Sequence, residues 1–202
     1  MSLVNQSQNH PPARIIIFID VGYIREWIKD CKIPLEKFNF ARFAKFASKR
    51  AIRDLKYSQI IRSYFYDGLV EPKVVGYNKQ KKFFDYIENE YNSFEVRLGR
   101  LIKDGKGTFR QKGVDVLMAI DMIEKANTNQ YDICILVAGD LDHLEAINVV
   151  KNKGKVIYGL YISGHISSAL KRSYDNCSPL PSTKGKKSDF HVDNYLAESN
   201  YQ

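Results

Sequence analysis

Cysteine is scarce: Cys31, Cys134 and Cys177 are the three in 202 residues, far apart and without a CxxC or Cys/His cluster. That spacing excludes a disulfide framework and a thiolate zinc site. Long hydrophobic runs are missing too. The longest, such as residues 15–19 and 133–138, fall far short of the roughly 20 residues that span a bilayer, and the polar start MSLVNQSQNHPPA carries no signal-like apolar stretch. The expectation is a cytoplasmic protein with no membrane partner. Acidic excess is absent as well: 31 Lys+Arg face 23 Asp+Glu, a formal net charge of +8, which points to a polyanionic partner. With 44% hydrophobic residues the chain is not of disordered type, and its length suits one domain.

What is present is an alternating rhythm. Residues 1–13 read as a flexible leader ending in Pro-Pro. Arg14 to Ile19 (RIIIFI), Ile60 to Tyr66, Phe94 to Leu98, Asp132 to Ala138 and Lys155 to Leu160 have the pattern of strands, the first and fourth so continuously apolar that both faces must be covered. Helical spacing fills the intervals: 23–30, 39–55, 79–91, 114–126, 141–151 and 163–174. Asp67-Gly68 reads as a turn, and the Gly-rich, basic stretch 99–113 as a long loop. Residues 14–177 form the expected domain. Residues 178–202, rich in Pro, Ser and Lys, read as a linker and tail whose Lys184, Lys186 and Lys187 add positive charge. Strands alternating with helices imply a three-layer α/β/α, Rossmann-like fold on a central parallel sheet of about five strands. Ligands of such sheets bind beyond the carboxyl ends of the strands.

Acids stand at that edge. RIIIFI runs into Asp20 and DICILVAG into Asp140, with Asp142 two residues on. Asp142 also fits a capping box with Glu145. Asp115 opens the helix after the third strand and should face the same crevice. Asp121 lies about 9 Å further along that helix, on a face with Val114, Leu117 and Met118 where a carboxylate needs a partner, so it reads as a supporting or structural acid. Converging carboxylates call for a cation, and all-oxygen ligands select Mg²⁺ or Mn²⁺ over zinc. Such an ion suits phosphodiester hydrolysis.

These residues form a larger pattern. FID, YFYDG, LGRL before a basic stretch, KGVDVLMAIDMI and YDICILVAGDLDHLEAINVVKNKGKVIYG, in this order between Arg14 and Tyr174, resemble the NYN family of the PIN-like nuclease superfamily. The resemblance implies a PIN-like fold and a metal-dependent ribonuclease site with its acids at Asp20, Asp115, Asp140 and Asp142. Two departures stand out. Where the family often has Gly-x-Asn after the first Asp, this chain has Val21, Gly22 and Tyr23, and the stretch often written SGDSDF reads AGDLDH.

Basic and aromatic residues surround the acids. Arg110 and Lys112 precede Asp115 and should contact phosphate. Tyr23 and Phe109 could stack on unpaired bases, the mode of single-stranded RNA recognition, although core or surface packing is the preferred reading for either ring alone. His143 either contacts substrate, where it could donate a proton, or packs at the rim. Gly105-Lys106-Gly107 lacks the setting of a phosphate loop. The expected function is a Mg²⁺- or Mn²⁺-dependent ribonuclease; the alternative is an RNA-binding or regulatory protein of the same fold with weak or no catalysis. A phosphatase is disfavoured because no DxDx[TV] nucleophile follows the first strand. Homo-oligomerisation is left open.

Overall fold

The computed structural model describes residues 11–52 and 57–181. The leader up to residue 10 and the basic tail from 182 onwards, with Lys184, Lys186 and Lys187, lie outside the described residues. The elements are β1 (Ala13–Asp20), α1 (Val21–Asp30), α2 (Phe40–Ala51), β2 (Ser58–Leu69), α3 (Tyr77–Glu90), β3 (Phe94–Lys103), β4 (Phe109–Lys112), α4 (Val114–Asn127), β5 (Ile133–Val137), α5 (Leu144–Asn152), β6 (Val156–Tyr161), α6 (Ser168–Ser173) and β7 (Asn176–Pro179), with 3-10 turns over Leu35–Lys37 and Leu141–His143.

The strands form a single sheet in the order β4-β3-β2-β1-β5-β6-β7. Every pairing is parallel except β3 with β4. The expected sheet of about five parallel strands is therefore corrected to a mixed sheet of seven. The two additions are edge strands, short and weakly apolar, so neither has the buried pattern that marks a strand in sequence.

The stretch 99–113 supplies one of them. It is a hairpin rather than a loop: β3 runs on to Lys103 and β4 returns, with Arg100 opposite Lys112 and Ile102 opposite Arg110. One Asp104 carboxylate oxygen accepts the amides of Lys106 and Thr108 at 2.9 Å each, and Gly107 takes the positive φ of 87° that the tight turn needs. The hairpin is exposed on most positions, so main-chain pairing and the turn hold it, not an apolar face. Asp67-Gly68 likewise lies inside β2, paired with Leu98 and Gly99, and is not a turn. At the other edge β7 crosses the boundary expected at 177/178, pairing Ser178 and Pro179 with Leu160 and Tyr161. The described chain then reaches Pro181, whose carbonyl accepts the Trp27 indole N–H at 3.1 Å.

Two cores explain the unbroken apolarity of residues 15–19, IIIFI. Ile15, Ile17 and Ile19 pack with α1, α2 and α3 on one face, while Ile16 and Phe18 pack with α4, α5 and α6 on the other. Successive side chains alternate faces, so a strand covered on both sides is apolar at every position. Phe18 stacks on Tyr64 at 5.4 Å in the second core, and Phe40 meets Phe65 edge-on at 4.8 Å in the first. Among the described residues no helix is long and apolar enough to cross a membrane.

The order of the sheet reverses at β1. From there the chain adds β2 and β3 to one side, then crosses through α4 to add β5, β6 and β7 to the other. The crevice outside the carboxyl ends of β1 and β5 is the switch point at which open α/β sheets bind ligands.

Candidate functional site

Asp20 closes β1 and caps α1. Its backbone is extended, and its Oδ1 accepts the Tyr23 amide at 3.0 Å, satisfying one of the helix's free N–H groups. The side chain is otherwise cut off from water, with 8% of the residue exposed. That desolvation pushes its carboxyl up to about 7 against the opposing Tyr23 hydrogen bond, with Asp115 and Asp67 raising it further.

Asp115 occupies the first turn of α4, just after Gly113, whose φ of 80° lets β4 turn directly into the helix. It is half-exposed. His143 closes the 3-10 turn after β5 and is fully buried, with no hydrogen-bond partner on Nδ1 or Nε2. Its Nε2 lies 3.9 Å from Asp115 Oδ1. Burial holds the imidazole below its ordinary pKa, although Asp115, Asp140 and Asp142 pull the other way, so it is a neutral ring with a free lone pair at neutral pH. One ligand atom from each of Asp20, Asp115 and His143 lies within 4.8 Å of the others. Two carboxylates and a neutral imidazole at that separation can converge on one cation.

The other expected acids are arranged differently. Asp140 is exposed and caps the 3-10 turn, its Oδ1 accepting the Asp142 amide at 3.2 Å. Asp142 is exposed within that turn and forms no capping box with Glu145, because α5 continues from the turn and carries no side-chain cap. Both acids stand outside the close group of three. Asp121 is buried and saturated. Arg97 donates from Nε and Nη2 at 3.0 and 3.1 Å, the Tyr66 hydroxyl at 2.7 Å and Lys125 Nζ at 3.4 Å. Lys125 and Arg97 also face the Tyr64 ring, at 4.8 and 5.8 Å from its centroid. This is the partner set that an acid on a buried helix face demands.

Tyr23, expected to meet substrate, is a strut. Its hydroxyl donates to the His165 carbonyl at 2.9 Å and accepts the Ile162 amide at 2.7 Å, tying α1 to the segment after β6. Its ring presses on Gly139: a Cβ there would lie 2.3 Å from the ring and 2.3 Å from the His165 carbonyl. The residue before Asp140 therefore has to be glycine. Arg110 and Lys112 are exposed on β4, Arg110 Nε at 3.2 Å from Asp104 Oδ2.

One buried acid escapes the sequence reading. Asp67 is 1% exposed, and its carboxylate accepts Arg25 Nη2, Gln111 Nε2 at 2.8 Å and the Gly68 amide at 2.7 Å. Desolvation raises its pKa against these partners. The pattern that marks Asp20 and Asp140, an apolar strand running into Asp, is also present in YFYD; the following glycine disguised it as a turn.

Comparison with known proteins agrees with this architecture. The family model for the NYN domain matches residues 14–181. The low amplitude and bright protein LabA of Synechococcus elongatus is 25% identical over 173 residues, covering 81% of this chain and 82% of that protein. A crystal structure of a protein of unknown function from Vibrio parahaemolyticus superposes with a TM-score of 0.62 at 19% identity, covering 94% of this chain and 99% of that one. It supports the fold alone.

Proposed function

This chain belongs to the NYN domain family, and from that premise we propose that it is a metal-dependent ribonuclease cutting single-stranded RNA at the carboxyl edge of its sheet. The observation that carries the reading is His143. A fully buried imidazole with two unpartnered nitrogens is costly, and it faces Asp20 and Asp115 at ligand spacing.

The donor set fits a divalent cation. Asp20, Asp115 and His143 would hold it, and the mixed oxygen and imidazole character favours Mn²⁺ within the Mg²⁺/Mn²⁺ pair. Such an ion supplies an activated water and charge neutralisation at the phosphate. Asp20 provides the switchable charge, since a carboxyl near 7 is protonated or ionised with little bias at neutral pH. His143 is held neutral and accepts without first losing a proton. Asp140 and Asp142, on the exposed turn beside His143, complete the negative rim and orient solvent. Arg110 and Lys112 project from the hairpin toward a phosphate backbone. All three cysteines are free thiols, which suits the reducing cytoplasm.

A second reading is RNA binding without cleavage. Tyr23 favours it: the position where the family often has asparagine is filled by a side chain whose hydroxyl is committed to Ile162 and His165.

The test is cleavage of a labelled single-stranded RNA in Mn²⁺, in Mg²⁺ and in EDTA, with the Asp20→Asn and Asp115→Asn variants alongside. Cleavage that needs the metal and both carboxylates supports the ribonuclease. Equal cleavage by the variants, or in EDTA, removes this mechanism, and salt-sensitive binding without cutting under either ion selects the second reading.

A further inference from the structure

A cavity of about 1010 Å³ opens beside the acid and histidine group, between α1, α3 and the β3–β4 hairpin. It is at the large end of the range for ligand pockets. Two relationships fix its place. Asp20 pairs with Tyr66 across β1 and β2, so Asp67 lies one residue beyond Asp20 on the neighbouring strand. Alternation along the strands then sends Asp20 toward the α4 face, with Phe18, and Asp67 toward the α1 and α3 face, with Phe65. The cluster and the cavity thus lie on opposite faces of one sheet edge. Gly22, two residues after Asp20, already belongs to the cavity wall.

The lining combines three chemistries. Phe83, Phe109, Leu101 and Val70 give an aromatic and apolar wall, and Phe109 at 42% exposure is the most accessible ring in it. The polar floor is the triad Arg25–Asp67–Gln111, in which Asp67 is buried, Gln111 is half-buried and Arg25 is exposed. Gln111 spends its Nε2 on Asp67 and keeps its carbonyl oxygen as an acceptor, while Arg25 retains further N–H donors. Lys79 and Arg110 add positive charge at the mouth, against Glu36 as the one other acid of the lining. A flat ring, a donor and acceptor edge and an attached anion are the complement of such a site: the combination describes a nucleotide and not a purely apolar ligand.

We propose that this cavity receives an unpaired nucleobase of the RNA strand whose adjoining phosphate lies at Asp20, Asp115 and His143. The identification of the strand as substrate rests on the ribonuclease reading above. The base stacks on Phe109, its hydrogen-bonding edge meets Gln111 and Arg25, and Lys79 and Arg110 attend its phosphates. A base held in a duplex has no free face or edge to offer the cavity, so the site selects single strands.

The experiment measures binding, in EDTA so that nothing is cut. Fluorescence anisotropy of labelled hexa-adenylate and hexa-uridylate is read with the wild-type chain and with Phe109→Ala, a substitution on an exposed hairpin. The expected loss is roughly five- to one-hundred-fold for at least one of the two RNAs. A fully abasic oligonucleotide of the same length, which needs no variant to fold, should bind the wild-type chain weakly. Unchanged binding by Phe109→Ala, or equal affinity for the abasic strand, overturns the proposal even if the wild-type chain cuts RNA in Mn²⁺. Loss of binding in both arms sustains the base site even if no metal supports cleavage. Free adenosine monophosphate that binds and is not displaced by hexa-adenylate would assign the cavity to a soluble nucleotide and overturn it.

Discussion

His143 Nε2 lies 3.9 Å from Asp115 Oδ1, yet the imidazole makes no hydrogen bond and no water reaches it. The two residues come from the start of α4 and the turn after β5, and they meet because α4 packs against α5 over the second core. A buried ring with two unsatisfied nitrogens costs about 1–3 kcal/mol. The cost is placed where a cation would recover it.

Replacing His143 by leucine, similar in size and without polar atoms, should leave the apo protein as stable as the wild type or up to about 1–2 kcal/mol more so. The stabilisation by Mn²⁺ should shrink. A cation at a hundred times its dissociation constant contributes about 2.7 kcal/mol, so thermal unfolding with and without Mn²⁺ reads both effects. An undiminished Mn²⁺ shift in the variant excludes His143 as a ligand.

Asp20 gives a pH signature. Its carboxyl has an ordinary value of 3.8 and about 7 in the fold, so between these values the folded chain binds more protons than the unfolded one, and stability falls as pH rises. The penalty is absent below about 4 and complete above about 7. Asp20→Asn keeps the helix cap and removes the charge. In EDTA at pH 8 it should exceed wild type in stability by about 2–4 kcal/mol, with the gap closing at pH 4. In Mn²⁺ at pH 8 the order should reverse, and wild-type Mn²⁺ affinity should climb as pH rises through 7. Urea titrations at the two pH values decide the first point and calorimetry the second.

Asp121→Ala should be among the more damaging single substitutions. It leaves Lys125, which is 5% exposed, with only the long 3.5 Å contact to Glu124 and the Tyr64 ring, and frees Arg97 and the Tyr66 hydroxyl. Breaking a buried pair from one side costs about 3–5 kcal/mol; the half-exposed Arg97 contributes the smaller part because water screens it. Urea unfolding measures this loss, and it should be the same with and without Mn²⁺. A Mn²⁺-dependent difference would move Asp121 into the metal site.

Arg110→Ala and Lys112→Ala should weaken RNA binding similarly for all sequences. Each should also reduce the slope of log affinity against log salt by about 0.7, the value for one phosphate contact on a single strand. Anisotropy titrations from low to moderate salt give that slope. An unchanged slope in both variants places the backbone elsewhere.

The α/β order and both buried strands were legible because a strand covered on two faces has to be apolar at every position, as IIIFI over 15–19 and ICILVA over 133–138 are. Asp20 was legible for a related reason: an acid directly after a buried strand is placed by local geometry at the carboxyl edge, whereas Asp115 reaches that edge through the β3–β4 hairpin, since α4 follows the antiparallel β4. Asp67 carried the same mark, but Gly68 obscured it. The start of β3 at 94–98 was legible, but the hairpin over 99–112 was not, because an exposed edge ladder is held by main-chain bonds that leave no periodicity in side-chain type.

The sequence by itself determined the buried strands β1 and β5, since hydrophobic period is a local property, and it determined the end of the sheet where Asp20 and Asp140 stand. Only the tertiary structure decided which of those groups share a site. Asp20 and His143 adjoin because β5 pairs beside β1 at the reversal of strand order, and Asp115 joins them through the packing of α4 on α5. Asp140 stays on the surface because its carboxylate caps the turn. Those are contacts between residues far apart in the chain, set by sheet order and core packing, and no local pattern encodes them.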